Sequence, residues 1–244
     1  MVRSMEIMIT NDDGYSEGMK MLLEAGRQFG DAYAVVPNRQ RSAVSGALTL
    51  HKPIRIHKIE EDIYTINGTP ADCVVFSLYS GEFKKPDLIL SGINWGDNTG
   101  ISPLISSGTI GACWQAAHYD VPAIAFSMDV KTRHWKDKSS WGNSGSIVKT
   151  VTDIITKLKP KLVKNKFFSV NLPDDLTNSK IIFTNKLQKR RHSVDIVKKE
   201  DPYGHPYYWV GGISKRDNGS DYYEVNVNKN ITISEFSLDR FIET

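Results

Sequence analysis

The chain has 244 residues, 24% of them charged and 40% hydrophobic, with a formal net charge of +3. These are ordinary globular values: they exclude wholesale disorder and fibrous classes, and the length suffices for one large domain or a domain with an appended arm. Part of the positive charge sits in "NKLQKRRHSVDIVKK" (185–199), which reads as a solvated face rather than a surface for an anionic partner, so no stable nucleic-acid partner is expected. No window approaches the roughly 20 apolar residues of a membrane span, and "MVRSMEIMITND" lacks a signal peptide's apolar stretch, so a cytoplasmic location is expected. Cys73 and Cys113 lie within apolar helical patterns and read as small core residues.

In chain order, "EIMIT" (6–10) is a strand. "SEGMKMLLEAGRQFG" (16–30) follows, with Met19, Leu22, Leu23 and Phe29 near helical spacing and a stop at Gly30, and "AYAVVP" (32–37) is a second strand ended by Pro37. Together they predict a βαβ unit, hence a parallel sheet with a right-handed crossover. "KPIRIHKI" and "DIYTING" read as an antiparallel pair, and "TPADCVVFSLYSG" as a helix capped by Thr69 with Pro70 in its first position. "PDLILSGIN" (86–94) is a buried strand, "SGTIGACWQAAHYD" (107–120) a helix and "VPAIAFSMD" (121–129) another strand. The fold class is therefore α/β, doubly wound around a mostly parallel sheet.

The stretch 130–145 is a polar loop carrying Trp135 and Trp141, 146–158 is helical, and "KFFSVNLP" and "KIIFTN" are strands. From 185 onward, "HPYYWVGG" and "SDYYEVNVNKNITISEFSL" are aromatic, β-prone pieces separated by polar turns; such ribbons need a neighbour to pack on. The predicted division is an α/β domain over 1–184 and a β-rich extension over 185–244.

In open α/β sheets ligands collect beyond the carboxyl ends of the strands. Three loops occupy that position: "NDDG", "PNRQRSAVSG" and "GINWGDNTGISPLISSGT". They bring Asn11, Asp12, Asp13, Ser42, Ser45, Asn94, Asn98, Ser107 and Thr109 towards one edge, all offering oxygen or amide groups without a histidine or cysteine cluster. Such hard donors select Mg²⁺, Mn²⁺ or Ca²⁺ over zinc. Two adjacent carboxylates crowd at a cost unless a cation lies beside them, whereas a single Asp there would as readily cap the next helix. In "ISSGTIGAC", Gly108 frees the backbone to approach a ligand and Thr109 sits where a helix exposes unpaired N–H groups, a place for phosphate, although Ser-Gly-Thr is equally an ordinary cap. "GYSEG" (14–18) matches G-x-S-x-G, but three polar residues separate it from the strand, so Ser16 reads as a helix cap rather than a nucleophile. Neither a dinucleotide fingerprint nor a P-loop occurs, and the adjacent aspartates disfavour a D-x-D phosphatase.

Five strings, "TNDDG" (10–14), "VVPNRQRSAVSGALTL" (35–50), "NGTPADCV" (67–74), "PDLILSGINWGDNTG" (86–100) and "SSGTIGA" (106–112), together resemble the SurE family of metal-dependent survival-protein nucleotidases, with "VPAIAFS" (121–127) continuing the match. The resemblance implies a Rossmann-like domain with a C-terminal extension exchanged between subunits, as a homodimer or homotetramer. It implies hydrolysis of nucleoside monophosphates with one Mg²⁺ or Mn²⁺ per subunit. By motif position, the metal ligands carry over to Asp12, Asp13, Ser42 and Asn94, and the phosphate-binding positions to Asn98, Ser107, Gly108 and Thr109. Asp12 and Asp13 are the expected catalytic pair, with Asp13 the better placed to orient or deprotonate the attacking water. The residues alone leave a broad acid phosphatase, an exopolyphosphatase and a non-catalytic nucleotide-binding module as alternatives.

Overall fold

In the computed structural model, which describes residues 3–130, 141–189, 195–211 and 217–242, the first apolar run forms strand β1 (Met5–Thr10) and the amphipathic stretch after it helix α1 (Glu17–Gly26). Ser16 caps α1, its hydroxyl accepting the Met19 N–H at 3.3 Å. Strand β2 (Gly30–Pro37) runs parallel to β1 and completes the βαβ unit. Strands β3 (Ile56–Glu60) and β4 (Ile63–Ile66) form the expected antiparallel pair, with β4 parallel to β2. Helix α2 (Pro70–Tyr79) opens with a capping box between Thr69 and Asp72.

Strand β5 (Leu88–Trp95), helices α3 (Ile101–Ser106) and α4 (Gly108–His118), strand β6 (Ala123–Met128), helix α5 (Ser144–Leu158) and strands β7 (Lys166–Leu172) and β8 (Ile181–Phe183) follow. The chain then makes a two-stranded antiparallel ribbon, β9 (Asp195–Glu200) and β10 (Pro206–Gly211), before helix α6 (Asp221–Asn226) and strand β11 (Ile231–Ser237). Among the described residues the main sheet has nine strands, in the order β3-β4-β2-β1-β5-β6-β7-β11-β8. Its six central strands from β4 to β7 are parallel, β3 and β11 run antiparallel to their inner neighbours, and β8 is parallel to β11.

Alternation along each strand feeds two cores. On β1, Ile7 and Ile9 join the layer formed with Leu22 of α1 and Ile154 of α5, while Met8 joins the opposite layer with Val74 of α2 and Ala116 of α4. The sheet is thus covered on both faces, as a doubly wound fold requires. Helix α1 lies so close to β5 that a Cβ at Gly18 would fall 2.2 Å from the Ile93 carbonyl oxygen, so only glycine fits there. Cys73 and Cys113 are buried free thiols, one in each of α2 and α4. Among the described residues no helix is long and apolar enough to cross a membrane.

Three expectations change. The loop read between β5 and α4 contains a short helix, α3, preceded by Gly100 with φ +83°. "SDYYEV" is helical rather than extended: Ser220 caps it, accepting the Tyr223 N–H at 3.2 Å, and Tyr222 and Val225, three apart, turn inward together. Finally, "NITISEFS" is not part of a separate arm. β11 inserts between β7 and β8, burying Ile231 and Ile233, and Phe236 stacks on Phe167 at 5.1 Å between ring centroids. The sheet therefore does not divide at residue 184, because β7 and β8 lie on one side of that boundary and the strand between them on the other. Among the described residues the β9–β10 ribbon alone stands off, exposed along its whole length. Trp141 is buried and meets Trp95 edge to face at 5.3 Å, so the polar loop begins its return to the core there. Trp135 and residues 190–194 of the basic run lie outside the described residues.

Candidate active site

Where β1 ends, buried Asn11 builds the turn. Its Nδ2 donates to the Gly14 carbonyl (2.9 Å) and the Ser16 hydroxyl (3.0 Å), and its Oδ1 accepts the Gly14 N–H (2.9 Å). With both ends of that side chain committed, the two following carboxylates point in different directions. Asp12, 5% exposed, turns towards the start of α4, where the Thr109 hydroxyl donates to it at 2.5 Å and the Gly108 N–H faces it. Asp13, half-buried, turns towards the end of β5, accepting the Trp95 N–H at 3.2 Å and the Gln40 side-chain amide at 3.4 Å.

Burial pushes the Asp12 carboxyl up to about 6, and the neighbouring Asp13 charge adds to the rise; the Thr109 hydroxyl opposes it. Burial also raises Asp13, against the Trp95 N–H and Gln40. The pair is thus held in a state that an adjacent positive charge would relieve.

Asn94, on β5, completes the inner site. Its Nδ2 donates to the Gly96 carbonyl at 2.7 Å, which leaves Oδ1 facing the Thr109 hydroxyl 3.5 Å away. The close approach of β1 to α4 depends on Gly108, where a Cβ would lie 2.9 Å from the Asp12 Cβ and 3.2 Å from its Oδ2. Ser42 is exposed, and its loop is fastened on both sides of it: the Arg41 N–H donates to the Asp12 carbonyl (2.7 Å) and the Ser45 N–H to the Ser106 carbonyl (2.9 Å). Asn98 sits farther along the edge, its N–H on the Asn171 Oδ1 (2.7 Å) and its Nδ2 on the Ser127 hydroxyl (2.8 Å).

The structure therefore brings Asp12, Asn94, Gly108 and Thr109 together, with Asp13 adjacent, Ser42 on the rim and Asn98 beyond β6. It also refines the reading of 107–109. The Gly108 N–H and the Thr109 hydroxyl face the Asp12 carboxylate, and the Ser107 hydroxyl accepts the Ile110 N–H at 3.3 Å, so the anion that the α4 terminus holds here is a side chain of the protein itself. Sequence reasoning missed Gln40 as a partner of Asp13, and Ser127 and Asn171 as anchors of Asn98. The last two carry a signal in retrospect: Asn94, Ser127 and Asn171 are in register across β5, β6 and β7, one polar residue near the carboxyl end of each apolar strand.

Among the described residues no group of three or more His, Cys, Asp and Glu side chains converges. A cation here would rely on two carboxylates supplemented by an amide and a hydroxyl. That donor set, with a buried carboxylate lacking a counter-charge, fits a hard divalent ion and does not fit zinc. Thr109→Val keeps the side chain's shape and removes its hydroxyl. It is expected to cost about 1.5–3 kcal/mol at pH 8, the range for a hydrogen bond to a charged group, and less at pH 5, where Asp12 holds its proton. Urea denaturation at the two pH values, without added metal, measures the difference.

A doubly wound α/β sheet with an acidic, oxygen-rich site at its carboxyl edge, beside the start of a helix, presents the kind of site where such folds collect ligands, with donors that suit a hard cation. The family model described as "Survival protein SurE" matches residues 7–193, and the chain belongs to that family. Proteins of Methanococcus maripaludis and Thermofilum pendens, both named 5′-nucleotidase SurE, are 34% and 37% identical to it, over 97% and 96% of this chain and 93% and 91% of theirs. The crystal structure of the SurE protein from Aquifex aeolicus superposes with a TM-score of 0.78 at 32% identity, covering 96% of this chain and 94% of that one.

Proposed function

We propose that this chain is a 5′-nucleotidase, releasing phosphate from nucleoside monophosphates by attack of water on phosphorus. The observation that carries the reading is the buried Asp12 carboxylate held at the start of α4 by Thr109, whose hydroxyl also faces Asn94, with Asp13 beside it; the names of the relatives supply the substrate class. A divalent cation, Mg²⁺ or Mn²⁺, held by Asp12, Asp13, Ser42 and Asn94, supplies Lewis acidity and counter-charge when bound.

The chain's own groups do the rest. Asp13 is the less buried carboxylate and is aimed by the Trp95 N–H and Gln40, so it orients the attacking water and takes its proton. Asp12, fixed by Thr109 and Gly108, holds the inner side of the site. The phosphate is received at the edge between the Ser107–Thr109 turn and Asn98, where the Asn98 Nδ2 hydrogen not given to Ser127 stabilises charge on an equatorial oxygen as the ester oxygen leaves. We place the protein in the cytoplasm as a homodimer or homotetramer; the exposed Ile196, Tyr208, Trp209 and Val210 of the ribbon support self-association.

Phosphate release from a panel of nucleoside monophosphates and p-nitrophenyl phosphate, each with Mg²⁺, Mn²⁺ or EDTA, tests the reading. Metal-dependent release favouring nucleotides is expected. Equal turnover of every ester would make it a broad phosphatase, and no release with any metal would overturn the proposal.

A further inference from the structure

Beside the carboxylates lies a depression of about 520 Å³ walled by Asn38, Arg39, Arg41, Leu50, Lys52 and Asn67. Its location follows from the loop after β2, which runs alongside the loop after β1: the Arg41 N–H donates to the Asp12 carbonyl at 2.7 Å, and a Cβ at Gly14 would lie 2.8 Å from the Pro37 carbonyl oxygen. Within that loop Gln40 reaches Asp13, while Arg39 and Arg41 on either side of it line the depression. The two compartments therefore share a wall.

The depression is chemically the opposite of its neighbour. Three cationic side chains line it and no carboxylate does. Among the described residues none of the three makes an ion pair, and the Arg41 Nε is buried without a hydrogen-bond partner while its Nη2 donates to the Asn67 carbonyl at 3.1 Å. Three unpaired cations around one concave surface attract a dianion, and the planar guanidinium groups suit phosphate. Leu50, exposed at the rim, offers apolar surface next to them.

We propose that this depression receives a second phosphoryl group on the substrate's own sugar, so that nucleosides carrying both a 3′- and a 5′-phosphate are preferred over the monophosphates. The proposal rests on the nucleotidase reading and adds a specificity pocket to it. The second group is either a free 3′-phosphate, a dianion, or the first phosphodiester of a short 5′-phosphorylated strand, which carries a single charge at the same separation from the scissile phosphate.

The test compares kcat/KM for loss of the 5′-phosphate from adenosine 5′-monophosphate, adenosine 3′,5′-bisphosphate and the 5′-phosphorylated dinucleotide pApA, in the wild type and in the double variant Arg39→Ala, Lys52→Ala. Both side chains are exposed and make no ion pair among the described residues, so the fold is expected to survive their loss. The wild type is expected to prefer the bisphosphate by about tenfold, the scale of a few solvent-screened charge contacts, and the preference to shrink with added salt. The double variant is expected to lose the preference while turning over the monophosphate within about twofold of the wild type. A bisphosphate preference without one for pApA assigns the pocket to a terminal phosphate; preference for both admits the diester. Turnover of the monophosphate with no preference in the wild type, or equal losses on all substrates in the variant, would overturn the pocket and leave the nucleotidase standing. If nothing is hydrolysed, calorimetric titration of adenosine 3′,5′-bisphosphate into wild type and variant decides separately: weaker binding to the variant supports the pocket, and equal binding overturns it.

Discussion

Asp12→Asn is expected to lower metal-dependent phosphate release by at least about a hundredfold, the scale seen when a charge-stabilising group is removed from an active site. The same variant is expected to be no less stable than the wild type when metal is stripped with EDTA above pH 6. Asp12 is 5% exposed and its carboxyl is pushed up to about 6 from the usual 3.8, so the folded protein binds that proton more tightly than the unfolded chain. The sign follows: this group's contribution is fully present below pH 3.8 and is lost as pH rises through 6, a loss on the order of 3 kcal/mol at one pKa unit per 1.36 kcal/mol. Asparagine has no such charge to bury and keeps an oxygen for Thr109. Added Mn²⁺ should raise the melting temperature of the wild type and leave that of the variant unchanged. Activity loss with an intact metal-induced shift would move the cation elsewhere; normal turnover would remove Asp12 from the chemistry.

The two halves of the molecule were legible from sequence to different degrees, for physical reasons. β1, α1 and β2 follow from local signals: an apolar run, a cap at Ser16 that really accepts the Met19 N–H, and a stop. The inner site followed because strand-end loops in this architecture converge, which places Asp12, Asn94 and Thr109 together without any knowledge of long-range contacts. What failed was non-local or ambiguous. Nothing within "NITISEFS" says that it pairs between β7 and β8, because strand order is settled by which edge is left open and not by the strand's own residues. "DYYEVN" is rich in β-formers, and its helix comes from the Ser220 cap and the inward pair Tyr222 and Val225, a tertiary preference that overrides propensity. Gln40 gave no signal, since it is an exposed amide whose importance lies in a partner 27 residues away.

Asp221→Ala is expected to destabilise the protein by at least about 3 kcal/mol, because it leaves three backbone donors without their acceptor at about 1–3 kcal/mol each. The Asp221 carboxylate accepts the Gly100 N–H at 2.6 Å and the Gln188 and Tyr222 N–H groups at 2.8 Å each, and it is 2% exposed. Burial pushes its carboxyl up and those three donors pull it back, which is how a charge so far from solvent is tolerated. Its partners belong to three separate segments: the N-terminal end of α3, the irregular stretch after β8, and α6. Gly100 closes the loop that leaves β5 just after Asn94 and carries Asn98, so the acid fixes that loop from the C-terminal end of the chain, and the Gln188 carbonyl reinforces the link by accepting the Ile101 N–H at 3.0 Å. Loss of Asp221 should therefore lower kcat for phosphate release more than the stability change alone explains, with the deficit persisting at temperatures where the variant is fully folded. Asp221→Asn, which retains one acceptor oxygen, should fall between the two in both melting temperature and kcat. An alanine variant that melts early but turns over normally when folded would make Asp221 a structural tie with no part in positioning the site.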